Sequence, residues 1–334
     1  MIDGIYTLAN DVVYDQAIAL LNSIEANCDR DLPICVIAYN DNVERLQAEI
    51  DRRPQVTLMN DPAIFGRWEE LSRRVWNTHP HALETWKEKK GLDGVYRIEC
   101  NHRYGAFDLA APFDRFIYLD ADTLVLDSLD IFFSSLDHHD VVVYDFQHKD
   151  PSHIFNVNSP KLHDVFPPGR IGSEIFCSGC FASKKGLFSP DRQNWLIDRL
   201  AEGEAEVLYL GAPNQSVLNY MIMRSQIPVF NIALEMPSAQ VTGNSVSSPH
   251  FEEKDNLLYD HGKRLTYVHY IGLSAKLFTQ LSEGGNIDFP YRETFLHYRF
   301  LHEPENRPKL SGRAKAYNAP PSLQKRLMKK LGLA

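Results

Sequence analysis

An α/β fold with a mostly parallel central sheet flanked by helices is what the sequence predicts, on three observations. Short apolar runs alternate with helix-period stretches from residue 2 onward. The run Phe116-Ile117-Tyr118-Leu119 has no polar alternation, the mark of a strand covered on both faces. It ends abruptly in Asp120-Ala121-Asp122-Thr123, and open α/β sheets gather their ligands at the C-terminal ends of such strands.

Taken in order, residues 2–8 read as a strand, and 12–26 as a helix through Val13, Ala17, Leu20, Leu21 and Ile24. Residues 32–39 form a second buried strand. Asn40-Asp41 then caps a polar helix running to Arg53, and 55–59 is a third strand. Repeated β-α-β units imply right-handed crossovers and a parallel sheet. Residues 61–93 read as a helical excursion, and 97–111 as a helix leading into the central strand. After Asp122, residues 124–136 connect through a short helical turn to a strand at 140–144. Residues 145–175, with four prolines and scattered histidines, read as a long surface loop suited to recognising a variable substrate. Strand character resumes at 175–183, helices follow at 191–202 and 214–224, and 265–272 is a late apolar strand.

The 334 residues suffice for one large unit with a sizeable core, and 44% hydrophobic with 24% charged residues is an ordinary globular balance. No apolar run approaches the roughly 20 residues needed to span a bilayer, and the N-terminus carries no leader pattern. Five cysteines, an odd number, make no disulfide framework, so a reducing cytoplasm is expected. Cys177-Ser178-Gly179-Cys180 is a single C-x-x-C, which without a second pair argues only weakly for zinc or redox chemistry. The net charge of −9 hides an acidic body: eight Lys/Arg and no Asp/Glu fall after residue 305. A body that acidic excludes tracking of nucleic acid.

In extended backbone, residues i and i+2 point the same way, so Asp120 and Asp122 can converge just past the strand end. Two carboxylates aimed at one point repel unless a cation sits between them, and carboxylate oxygens suit Mg²⁺ or Mn²⁺, which keep positions for phosphate oxygens. Asp29-Arg30-Asp31 has the same spacing but lies in a connecting turn before Leu32-Pro33, so context rather than spacing marks the later pair. His269 closes another apolar run and fits as a third ligand, which favours Mn²⁺; read alone, a strand-end histidine is more often structural. Gly272 and Lys276 follow it as candidate phosphate contacts. At the end of the first strand, Asn10 and Asp11 suit hydrogen bonds to a base, with Tyr14 stacking on it, and equally capping of the next helix, two roles that are compatible.

In order and spacing these pieces resemble the retaining glycosyltransferases of family 8, the glycogenin-like enzymes, over residues 2–280. The resemblance rests on Asn10-Asp11, Arg103, Tyr118-Leu119-Asp120-Ala121-Asp122-Thr123, Ser178-Gly179, Gln215 with Leu218-Asn219, and His269-Tyr270-Ile271-Gly272. It implies a GT-A fold, Rossmann-like, in a domain of residues 1–285: a nucleotide-binding half to 125 and a sugar and acceptor half from 126. A C-terminal helix at 286–305 and a basic tail at 306–334 follow. It implies Mn²⁺ or Mg²⁺ on Asp120, Asp122 and His269, and a UDP-sugar along Leu8, Ala9, Asn10, Asp11, Tyr14, Ala121, Gly272 and Lys276. Arg103, Asn214 and Gln215 would face the donor sugar, and a hexose would pass with retention to an acceptor that is a glycan, lipid, protein or small molecule. Cys177 and Asn214 stand where the family usually has Asn and Asp, and Lys276 lies one residue later than usual. These departures motivate an alternative, a sugar-nucleotide-binding protein with impaired turnover. A haloacid-dehalogenase-like phosphatase also uses Asp-x-Asp after an apolar strand, but its usual Gly and Thr do not follow Asp122 here. Beyond Pro320-Pro321, Leu323, Leu327 and Leu331 share a face beside Lys and Arg, which reads either as an anchor on the inner face of a membrane or as a solvated basic tail.

Overall fold

The computed structural model describes residues 1–318. Seven strands form the central sheet: β1 (Asp3–Ala9), β2 (Ile34–Ala38), β3 (Val56–Met59), β4 (Arg115–Leu119), and later β6 (Val141–Val143), β7 (Cys180–Lys184) and β8 (Val229–Asn231). Between them in sequence, β5 (Thr123–Val125) leaves the sheet and pairs antiparallel with strand Tyr267–His269. The spatial order is β3-β2-β1-β4-β7-β6-β8. All pairings are parallel except those of β7, which runs antiparallel to both β4 and β6.

Both faces of the sheet are covered, which is why its strands read as unbroken apolar runs. Tyr6, Phe116 and Tyr118 face one core with Trp68, Trp76 and Phe107. Their neighbours Ile5, Ile117 and Leu119 face the other, against Leu20 and Leu21 of helix Tyr14–Asn27. A third cluster, with Tyr270, Phe278, Phe289 and Phe295, packs behind strand Tyr267–His269. This is the mostly parallel, helix-flanked α/β architecture that the apolar runs predict.

Several local expectations change. Residues 97–111 are not an α-helix but a run of 3-10 turns at Ile98–Phe107. Within it Asn101 Nδ2 and Arg103 Nε donate to the carbonyls of Ile98 and Cys100, competing for acceptors a longer helix would use. The helix expected from Asn40-Asp41 begins at Glu44. The stretch 145–175 includes helices Leu162–Val165 and Pro168–Glu174, because Ile154, Phe155, Leu162 and Phe166 are buried in the first core. The late strand is only Tyr267–His269. Within 286–305 a short strand, Ile287–Asp288, precedes helix Arg292–Arg299, and Lys315–Ala316 pairs back on that strand. The amphipathic pattern at 320–334 lies outside the described residues. Among those described, no helix is long and apolar enough to cross a membrane. All five cysteines are free thiols, Cys177 and Cys180 included.

Candidate metal centre and its surroundings

Strand direction decides which residues meet. β4 and β6 run the same way and β7 the opposite way, so the C-terminal ends of β4 and β6 and the N-terminal end of β7 share one edge. That edge brings together Asp120, Asp145 and the Ser178-Gly179 turn. Antiparallel pairing then sets His269 opposite Thr123, and Tyr270 N–H donates to the Asp122 carbonyl at 2.8 Å. One ligand atom each from Asp120, Asp122 and His269 lies within 4.8 Å of the others.

Each ligand is fixed from behind. Asp120 continues the Phe116, Tyr118 face, and Tyr118 Oη donates to Asp120 Oδ1 at 2.9 Å. Arg103 Nη2 meets the same oxygen at 3.2 Å, which leaves Oδ2 on the side of Gly179. His269 Nε2 is 3.2 Å from Asp122 Oδ1. Burial opposes charging this imidazole, but Asp122 overcomes burial, with Cys177 contributing less, and holds the proton well above the ordinary histidine range. Burial likewise raises Asp122, and the imidazolium outweighs it and lowers the carboxyl. Two carboxylate oxygens and one imidazole nitrogen form a donor set that suits Mn²⁺, a cation taking the place of that shared proton.

Ser178 links the remaining sugar-side candidates. Arg103 is buried and stacks over Tyr118; its Nη1 donates to Ser178 O at 2.9 Å and to Ser178 Oγ at 3.1 Å. With Cys100 O and Asp120 also bonded, little of its five-donor fork remains for a ligand. Gln215 Oε1 accepts from Ser178 N at 2.9 Å while its Nε2 donates to His153 O at 3.0 Å. Asn214 Nδ2 reaches Ser178 Oγ at 3.4 Å. The loop after β6 thus touches this network through His153.

Asn10 caps the helical turn that follows it, as expected, whereas Asp11 caps a later helix and not the next one. Asn10 Oδ1 accepts from Val12 N, and Asn10 Nδ2 donates to Asn40. Asp11 caps helix Glu44–Ile50 from outside it: its two oxygens accept from Arg45 N at 3.0 Å and Leu46 N at 2.9 Å. The Tyr14 ring, expected to stack on a base, lies under the Arg45 guanidinium at 4.1 Å. Leu8, Ala9 and Ala121 are buried, Gly272 is exposed with φ +85°, and Lys276 stands exposed in the first turn of helix Ala275–Ser282. Asp11→Ala is expected to cost about 1 kcal/mol, as loss of a cap does, measured by urea unfolding.

Asp145 was not singled out in the sequence, although it follows Val141–Val143 as Asp120 follows its own strand. Burial pushes its carboxyl up to about 6. It lines a cavity of about 650 Å³ together with Cys177, Asn244, Ser245, Tyr267 and His269. The folded chain keeps this proton between about pH 4 and 6 where the unfolded chain has lost it, so the carboxyl lowers stability as pH rises through that window. Asp145→Asn in EDTA is therefore expected to gain on the order of 2 kcal/mol above pH 6, and nothing at pH 4, in urea titrations.

No protein-family model matches the sequence, and no curated protein matches it. Among solved structures the chain is similar to the galactosyltransferase LgtC in complex with donor and acceptor sugar analogues, at 15% identity over 84% of this chain and 94% of that one, with a TM-score of 0.50. An active-site mutant of LgtC gives 15% identity, 84% and 95% coverage, and a TM-score of 0.51. Mouse xyloside xylosyltransferase 1 in its apo form is also similar, at 11% identity, 69% and 85% coverage, and a TM-score of 0.47. At these identities the likeness to LgtC speaks for the fold: the central sheet with its flanking helices is GT-A-like.

Proposed function

We propose that this chain is a metal-dependent retaining glycosyltransferase of the family 8 type, which moves a hexose from a UDP-sugar to a hydroxyl acceptor. The observation that carries the reading is the convergence of Asp120, Asp122 and His269 at the ligand-binding edge of a GT-A-like sheet. Those three side chains would hold Mn²⁺ or Mg²⁺. When bound, the cation supplies positive charge against the diphosphate that leaves the sugar.

The chain's own residues do the rest. Arg103 and Tyr118 hold Asp120 by one oxygen and so aim the other. Gln215 and Asn214 stand at the start of helix Pro213–Arg224, tied through Ser178 to Arg103, and this cluster would border the transferring sugar. Were a donor to displace its bond to Ser178, the Gln215 amide oxygen would be free to support developing positive charge. Asn214 is neutral and offers no carboxylate nucleophile, which fits attack by the acceptor from the face the leaving group vacates. The cavity that His269 lines with Asp145, Asn244 and Ser245 is the natural space for an acceptor.

A screen of UDP-sugars for Mn²⁺-dependent hydrolysis and transfer tests this. One donor should be turned over, EDTA should stop it, and Asp122→Asn should lower the rate on the order of a hundredfold or more. Mn²⁺-dependent UDP binding with no turnover of any donor would instead favour the impaired binding protein, a reading supported by how fully Arg103 and Gln215 are engaged. Phosphate release from sugar phosphates that Asp120→Asn abolishes would point to a phosphatase.

A further inference from the structure

On the cavity that His269 also lines, Asp260 and His261 of the hairpin of strands Leu257–Asp260 and Lys263–Arg264 meet His250 of the preceding segment as a second set of metal-type donors. His250 Nε2 lies 3.1 Å from Asp260 Oδ1, and His261 Nε2 lies 3.6 Å from the same oxygen. The two imidazole rings are roughly parallel, 26° apart, with centroids at 5.6 Å. One ligand atom from each of the three residues falls within 4.8 Å of the others.

We propose that His250, Asp260 and His261 form a second, zinc-class metal site. Bonds of about 2.0–2.1 Å in a tetrahedron put neighbouring ligand atoms roughly 3.3 Å apart, close to both oxygen–nitrogen separations in the cluster. Two imidazole nitrogens and one carboxylate oxygen are a softer set than two carboxylates and one imidazole, so this site favours Zn²⁺ where the first favours Mn²⁺. The carboxylate is oriented as a ligand should be. Its other oxygen, Oδ2, accepts from Gly243 N at 2.6 Å, and its side chain is only 12% exposed. His261 sits with φ +49° before Gly262 at φ +80°, in a two-residue hairpin turn whose first position is ordinarily Asn or Asp. That turn points a third donor at an oxygen His250 already faces.

The site ties the hairpin to the segment 243–250. The same segment holds the first cluster, since His269 N donates to Asn244 O at 2.8 Å and Val246 N donates to His269 O at 3.0 Å. A metal on His250, Asp260 and His261 therefore fastens the backbone that carries His269. The inference stands independently of glycosyl transfer.

The test uses full-length protein stripped of metal and carrying Asp122→Asn to weaken the first cluster. Zn²⁺ titration by calorimetry should give one site per chain. Co²⁺ in its place should show the intense visible absorption of a four-coordinate ion. His261→Asn, which suits the turn and changes a side chain 91% exposed, should weaken Zn²⁺ binding at least tenfold, as should His250→Ala. Absence of Zn²⁺ binding in the Asp122→Asn protein, or affinity unchanged by His261→Asn, would overturn the proposal.

Discussion

Gly179→Ala is expected to disable the Asp120, Asp122, His269 centre while leaving the fold intact. A Cβ at this position would stand 2.5 Å from His269 Cε1 and 2.9 Å from Asp120 Oδ2, so two of the three ligands would have to move apart. The backbone at Gly179 is not in the left-handed region, and Asp120 N–H still donates to the Gly179 carbonyl at 2.8 Å, so contact with the ligands is the fault introduced. Displacement of about 1 Å at a reacting centre costs about a hundredfold. Mn²⁺ affinity should fall about tenfold or more, with circular dichroism unchanged and Mn²⁺-dependent turnover of the donor down about a hundredfold. Gly172→Ala, where an added methyl meets nothing within 4 Å, is the matched control and should behave as the parent. Equal Mn²⁺ affinity in both variants would mean that Gly179 has no part in shaping the centre.

Arg103→Met is expected to be the most destabilising single change near the site. The guanidinium is buried and bonds at once to Asp120, Ser178 and Cys100. Its removal leaves Asp120 without its counter-charge and two carbonyls without donors. Breaking a buried pair from one side costs about 3–5 kcal/mol, and the part exposure of Asp120 puts this case near the lower figure, about 3 kcal/mol in urea unfolding. Arg103→Lys restores charge but not the planar fork, and should recover less than half of the loss. A Met variant within about 1 kcal/mol of the parent would show that the network is dispensable.

What could be read from the sequence was what local pattern encodes. Phe116–Leu119 reads as a doubly covered strand because its side chains enter two cores, whereas Asp120 and Asp122 meet through a turn closed by Thr123 N donating to Asp120 O at 3.1 Å, not through the extended spacing expected. His269 was legible as a polar residue closing an apolar run. What escaped depends on partners far along the chain. That Asp11 caps a helix more than thirty residues on, and not the next one, depends on the pairing of β1 with β2, which no local pattern shows. Nothing in the apolar run at 175–183 tells that β7 is antiparallel, yet that reversal delivers Ser178 and Gly179 to the edge where Asp120 and Asp145 emerge. The 3-10 turns at Ile98–Phe107 arise from side chains competing for carbonyls, which periodicity does not register. Asp260 and His261 are neighbours in a short hairpin turn, and His250 meets them only because the segment 243–250 folds onto Asp260, where Gly243 N also donates.

The most direct measurement is an anomalous difference map from crystals soaked with Mn²⁺ and UDP. The account predicts a peak shared by Asp120, Asp122 and His269, with the UDP diphosphate completing the ion's coordination. UDP bound with no ion among those three side chains, or an ion that touches none of them, would contradict it.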